Sequence, residues 1–103
     1  MSVVYAIQFQ VRPGQLERFT TLLNGLLDAM RAEASFRNAV LHRAPEDPCR
    51  FMLYETWADH EEVLAVQVHR PYRAAWNAAL PEILAGPREI SVWHPLRADG
   101  IAA

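Results

Sequence analysis

The chain has 103 residues, about half hydrophobic and a fifth charged, with a formal net charge of −2. That is the makeup of one soluble domain with a single core, and its interspersed charges offer no basic field for nucleic acid or an anionic membrane. No run approaches the roughly 18 apolar residues of a bilayer span, MSVVYAIQFQVRPG lacks a signal peptide's basic flank and cleavage site, and the lone Cys49 cannot close an internal disulfide, so a cytoplasmic protein is expected.

Val3, Tyr5, Ile7, Phe9 and Val11 alternate with more polar neighbours such as Gln8 and Gln10, which predicts a first strand over 3–11. Arg12-Pro13-Gly14 ends it, and the period then changes. Leu16, Phe19, Leu22, Leu23, Leu26, Leu27 and Met30 recur at spacings of three and four, predicting an amphipathic helix from Gln15. Asn24-Gly25 would signal a hairpin in isolation, but the apolar period runs through it. Gly25 costs that helix roughly 1 kcal/mol against alanine, and close packing is the expected reason for it.

A short second strand is predicted over Ala39 to Arg43, and the polar turn APEDP at 44–48 returns the chain into FMLYETW, a third strand at 51–57. Asp59 and Glu62 have capping-box spacing, so a helix starts after Trp57 and runs to about His69, where Arg70-Pro71 interrupts it. Tyr72, Ala75, Trp76, Ala79, Leu80 and Ile83 continue the helical pattern, with a kink or end expected near Leu80 because Pro81 lacks an amide donor. Gly86-Pro87 leads into a fourth strand at Glu89 to His94. The domain is expected to fill 1–95, with a loose tail over 96–103.

This order, β-α-β-β-α-β, predicts an α+β, ferredoxin-like fold with a four-stranded antiparallel sheet. In FMLYETW, Phe51, Leu53, Glu55 and Trp57 point one way, while Met52, Tyr54 and Thr56 point the other. Two helices can cover one face of the sheet only. The other face is mostly apolar as well, so a homodimer is expected.

FMLYETW followed by Asp59-His60-Glu61-Glu62, then Arg70-Pro71-Tyr72-Arg73-Ala74-Ala75-Trp76, then Leu84-Ala85-Gly86-Pro87 before a last strand, resembles the antibiotic biosynthesis monooxygenase domain family. The likeness extends from the Val11-Arg12-Pro13-Gly14 turn through the fourth strand. It implies a dimeric α+β barrel with a pocket in each subunit between sheet and helices. The family includes cofactor-independent oxygenases of phenols and quinols, haem-degrading enzymes and an isomerase of a phosphorylated sugar. The haem-degrading branch's asparagine, tryptophan and histidine ligand fall here on Ile7, Gln67 and Trp76, which leaves iron no axial imidazole. Of the polyketide oxygenase residues, only the tryptophan, Trp57, is matched; the others fall on Leu53, Val63 and Asn77.

The resemblance thus puts Trp57 and Tyr72 forward as catalytic residues. Ile7, Leu53, Trp76 and Trp93 are expected as apolar walls, with Gln67 and Asn77 supplying polar contacts. Tyr72 either packs the core or donates a hydrogen bond to a phenolate or peroxide oxygen. Glu55, if buried, becomes a base with a raised pKa; otherwise it pairs with an arginine across the sheet. His69 is read as a solvated residue at a helix end. No metal, haem, flavin or nicotinamide cofactor is expected: the histidines show no i,i+3 or i,i+4 pair, and no glycine-rich loop is present. The activity implied is oxygenation of a small aromatic or quinol-like substrate by dioxygen. Two alternatives stay open: a non-enzymatic small-molecule-binding or stress-related dimer, and a phosphorylated-sugar isomerase using Arg70 and Arg73.

Overall fold

The computed structural model describes residues 1–100. Alternation gives β1 (Val3–Gln10), and Val11 continues the line as an isolated bridge to Leu84. A 3-10 turn at Pro13–Gln15 starts α1 (Leu16–Met30), which buries Phe19, Leu23, Leu26 and Met30 and passes through Gly25 unbroken. A Cβ at Gly25 would meet nothing within 4 Å, so close packing does not account for this glycine.

The second strand, β2 (Phe36–Arg43), begins three residues before the sequence expectation. Phe36 pairs with Trp57 across an irregularity between Phe36 and Asn38, and that irregularity breaks the alternation that would have revealed it. The turn at 44–48 leads into β3 (Arg50–Trp57). Asp59 then caps α2 (His60–Ala65), its carboxylate accepting the Glu62 N–H at 3.2 Å. Two 3-10 turns, Gln67–His69 and Pro71–Arg73, lie on either side of the Arg70-Pro71 interruption.

The last helix, α3 (Ala74–Ile83), does not end at Leu80. Pro81 removes one donor, but its would-be acceptor belongs to the exposed Asn77, and the Leu84 N–H still reaches the Leu80 carbonyl at 2.9 Å. Helix α3 therefore closes past its proline. Strand β4 (Glu89–Trp93) completes the fold. Residues 94–100 carry no regular structure; the remainder of the predicted tail, 101–103, lies outside the described residues.

The four strands form one antiparallel sheet in the order β2-β3-β1-β4. This is the predicted α+β, ferredoxin-like arrangement, with the helices on one face. Register fixes which side chains share that inner face: Val3 lies beside Trp57, Tyr5 beside Glu55 and Val92, Ile7 beside Leu53 and Ile90, and Phe9 beside Phe51. The outer face carries Val4, Ala6, Met52, Tyr54 and Trp93, and no helix of the described residues packs its buried side chains there.

The inner layer divides along β1. At its C-terminal end Phe9 lies edge-on to Phe19 at 5.3 Å and to Trp76 at 5.7 Å, and Phe19 meets Phe51 at 4.9 Å. Four residues back along the same strand, the same face carries Tyr5 and Glu55.

Candidate active site

Strands β1, β3 and β4 supply the floor of a cavity of about 260 Å³ beneath α2 and the 3-10 turns. Tyr5, Ile7 and Glu55 lie on the floor, His60 and Val63 come from α2, Arg73 ends a 3-10 turn, and Arg88 leads into β4. Leu64, Val68, Ile90 and Val92 form an apolar rim that is about half exposed. Two wider surface grooves of about 620 Å³ each flank α3, and one of them shares Arg88 with this cavity. The smaller cavity is the one that holds a buried carboxyl.

Glu55 is its centre. The side chain is 7% exposed and accepts a 3.0 Å hydrogen bond from Trp57 Nε1. Burial pushes its carboxyl pKa up; the Trp57 bond, then Arg73 and Arg88, act against this more weakly. Among the described residues no arginine forms an ion pair with it. The alternative of a cross-sheet arginine partner therefore gives way to a buried carboxyl hydrogen-bonded to an indole.

Beside Glu55, Tyr5 Oη and His60 Nδ1 are 2.6 Å apart, the donor depending on the imidazole tautomer. Burial first, then the charges of Glu55 and Asp59, raise the phenol's pKa, so Tyr5 stays protonated. Arg73 stacks over Trp57 at 5.9 Å and over Tyr72 at 5.7 Å, and its buried Nε has no hydrogen-bond partner. Desolvation lowers the Arg88 pKa, with Glu55 opposing and Arg73 adding to the effect.

The sequence-predicted residues do not converge on one place. Ile7 lines this cavity. Trp57, fully buried, reaches it through its bond to Glu55, while Leu53 is core beside Ile7. Trp76 belongs to the aromatic cluster with Phe9 and Phe19. Gln67 is buried in a separate polar group, donating to Glu62 at 2.8 Å and to Ser35 at 3.4 Å.

Asn77 is exposed in one of the wide grooves. Trp93 is corrected from pocket wall to outer face: it pairs with Val4, is 60% exposed, and donates to Ser91 Oγ at 2.8 Å. Strand parity decides this, because Ile90 and Val92 take the inner positions.

Tyr72 is half-buried and does not line the cavity. Burial raises its pKa, the neighbouring Arg73 opposes this, and the phenol oxygen makes no hydrogen bond of good geometry. Arg70 is held in an ion pair with Glu33 at 3.1 Å. His69 is exposed, as expected. Among the described residues no three His, Cys, Asp or Glu side chains are grouped to hold a metal ion, and no helix is long and apolar enough to cross a membrane.

Sequence reasoning missed Tyr5, His60 and Arg88 as site residues. Tyr5 reads as one more apolar strand position, and His60 as a first-turn residue. Strand register brings Tyr5 beside Glu55, and the placement of α2 and of the approach to β4 brings His60 and Arg88.

The antibiotic biosynthesis monooxygenase family matches residues 2–83, and the chain belongs to that family. It is 31% identical over 93 residues to a protein of Pestalotiopsis microspora provisionally named a monooxygenase, covering 89% of this chain and 78% of that one. Together these support a general monooxygenase role.

Two solved structures share the fold. Rv0793 from Mycobacterium tuberculosis superposes with a TM-score of 0.85 at 23% identity, covering 97% of this chain and 100% of its own. SnoaB, a cofactor-independent oxygenase from Streptomyces nogalater, does so at 0.78 and 15%, covering 94% and 95%. At these identities the likeness speaks to the fold alone.

Proposed function

We propose that the protein is a cofactor-independent monooxygenase of a phenolic or quinol-type molecule, acting in the Glu55 cavity. The observation that carries this reading is Glu55 itself: a buried carboxyl with raised pKa on the floor of a cavity with an apolar rim. A carboxyl shifted upward towards working pH is suited to take a proton from a phenol and return it later.

Glu55 accepts the phenolic proton, and Arg73 and Arg88 stabilise the resulting anion. The apolar walls exclude water and hold the ring. The phenolate passes one electron to dioxygen. The radical pair then combines at a ring carbon bearing hydrogen, and loss of water from the hydroperoxide leaves a quinone carbonyl. One oxygen atom ends in the product and the other in water, with all electrons drawn from the substrate. Trp57 is a positioning residue here, fixing the Glu55 carboxyl through its indole N–H. The Tyr5–His60 pair closes the wall beside it.

The working unit is a homodimer closed over the outer sheet face, where Trp93 and its apolar neighbours would each find cover. A specific interface of this kind buries roughly 800 Å² per partner. Sedimentation equilibrium is expected to give a dimer at micromolar concentration, and a stable monomer would remove that part of the proposal.

The activity is tested by oxygen uptake with a panel of naphthols and hydroquinones, using protein freed of metals and chromophores. The expected result is turnover with isotopic oxygen from labelled dioxygen in the quinone product. Saturable binding of the panel without oxygen uptake would leave a small-molecule-binding protein in place of an enzyme.

A further inference from the structure

Arg73 and Arg88 pose a problem that the activity alone does not solve. They enter the cavity from opposite layers, Arg73 from the helical side and Arg88 from the approach to β4. Both are partly buried, and neither has an ion-pair partner among the described residues. Arg73 Nε is fully enclosed and makes no hydrogen bond. Each guanidinium feels Glu55, and Arg88 is also disfavoured by Arg73. Two like charges held together in a desolvated site are costly unless an anion meets them. One carboxyl cannot balance both.

The geometry points to a substrate that carries an acidic group of its own, an aromatic hydroxy-acid whose carboxylate is held by Arg73 and Arg88 while its ring lies against Ile7, Val63 and Val68. This rests on the Glu55 cavity being the substrate site, as proposed above. The charge balance favours it. With a carboxylate bound, two guanidiniums face two negative charges, and transfer of the phenolic proton to Glu55 leaves that count unchanged. Planar, forked guanidinium groups suit a carboxylate well.

Size agrees too. At about 260 Å³ the cavity falls just below the roughly 300–1,000 Å³ of drug-sized sites, which favours a one- or two-ring molecule over a large polycycle. The half-exposed apolar rim of Leu64, Val68, Ile90 and Val92 offers a ring its entry path.

The test is isothermal titration of the full chain with two probes of nearly equal shape, a hydroxynaphthoate and the matching naphthol, near neutral pH and low salt. The hydroxynaphthoate is expected to bind about tenfold tighter or better, the scale of one charge-assisted pair. Arg88→Met should erase that preference, so that the hydroxynaphthoate binds the variant no more tightly than the naphthol does. Arg88 is the better position to change because Arg73 also stacks on Trp57.

Equal affinity for the two probes in the wild-type protein would overturn the inference whether or not the variant folds. So would a preference that survives Arg88→Met, or no binding of either probe. Oxygen uptake measured on the same samples separates the two proposals. Arg88-dependent binding without uptake removes the oxygenase and keeps the anion site; equal uptake of both probes with equal affinity does the reverse.

Discussion

The two ends of the helix–sheet layer are built from the same strands and differ in kind. At one end Phe9 and Phe51 meet Phe19 and Trp76 in a closed set of aromatic contacts of 4.9–5.8 Å. At the other, Tyr5 and Glu55 occupy equivalent inward positions, and the helices above supply His60 and Arg73 in place of rings. The first end buries Phe9, Phe19 and Trp76 against one another with no buried carboxyl among them. The second leaves a cavity, a buried carboxyl and two guanidiniums without an ion pair among the described residues. A chain of this size tolerates that only because the aromatic end supplies the cohesion.

Breaking the aromatic end should therefore damage the fold most. Phe19→Ala removes a fully buried ring that touches Phe9, Phe51 and Trp76, and is expected to cost about 3–5 kcal/mol. That is a large part of a typical domain's stability, so urea unfolding should show a collapsed midpoint or no folded baseline. Survival with little loss would mean that the ring cluster is not the stabilising half.

At the polar end, Trp57→Phe keeps an aromatic ring and deletes the N–H that reaches Glu55. The expected cost is about 1–3 kcal/mol, with turnover falling as Glu55 loses its orientation. A variant as stable and as active as the parent would show that the indole bond does nothing for Glu55.

The pH dependence of stability sharpens the contrast. Burial raises the folded-state pKa of Glu55, so the folded chain keeps a proton that the unfolded chain has already lost. Stability should fall as pH rises from the ordinary carboxylate range up to that raised pKa. Glu55→Gln is expected to remove this descent, read as urea midpoints over a pH series for both proteins. Parallel curves would mean that Glu55 is not perturbed.

The smallest effect lies away from both ends. Gly25→Ala places a methyl group in open space on the exposed face of α1 and should add about 1 kcal/mol without touching turnover. A loss of stability there would mean that a second copy of the chain, or another partner, approaches Gly25.

Much of the fold was legible because its elements keep their periods. Strand β1 and helix α1 announce themselves by alternation and by a three-four spacing, and Asp59 announces its helix by its capping position. Strand β2 was shortened in the reading because the irregularity at Phe36–Asn38 hides its first residues, and Pro81 was overweighted because a proline near an exposed final turn forfeits only one bond. The site was legible in Glu55, Ile7, Trp57 and Arg73 only. Glu55 stood out as the polar member of an apolar strand face, a local signal. Tyr5, His60 and Arg88 are joined to it by register and by helix placement, which no local pattern encodes, and Trp93 was misplaced because β4 gives few residues from which to judge parity.

The central claim is that the polar end does chemistry through Glu55. Its most direct test is the steady-state turnover of Glu55→Gln on a naphthol that the parent protein consumes, with melting temperature measured on the same sample. The prediction is a fall in turnover of about a hundredfold or more, the scale of a lost general base, in a protein at least as stable as the parent. Unchanged turnover in a folded Glu55→Gln protein would contradict it.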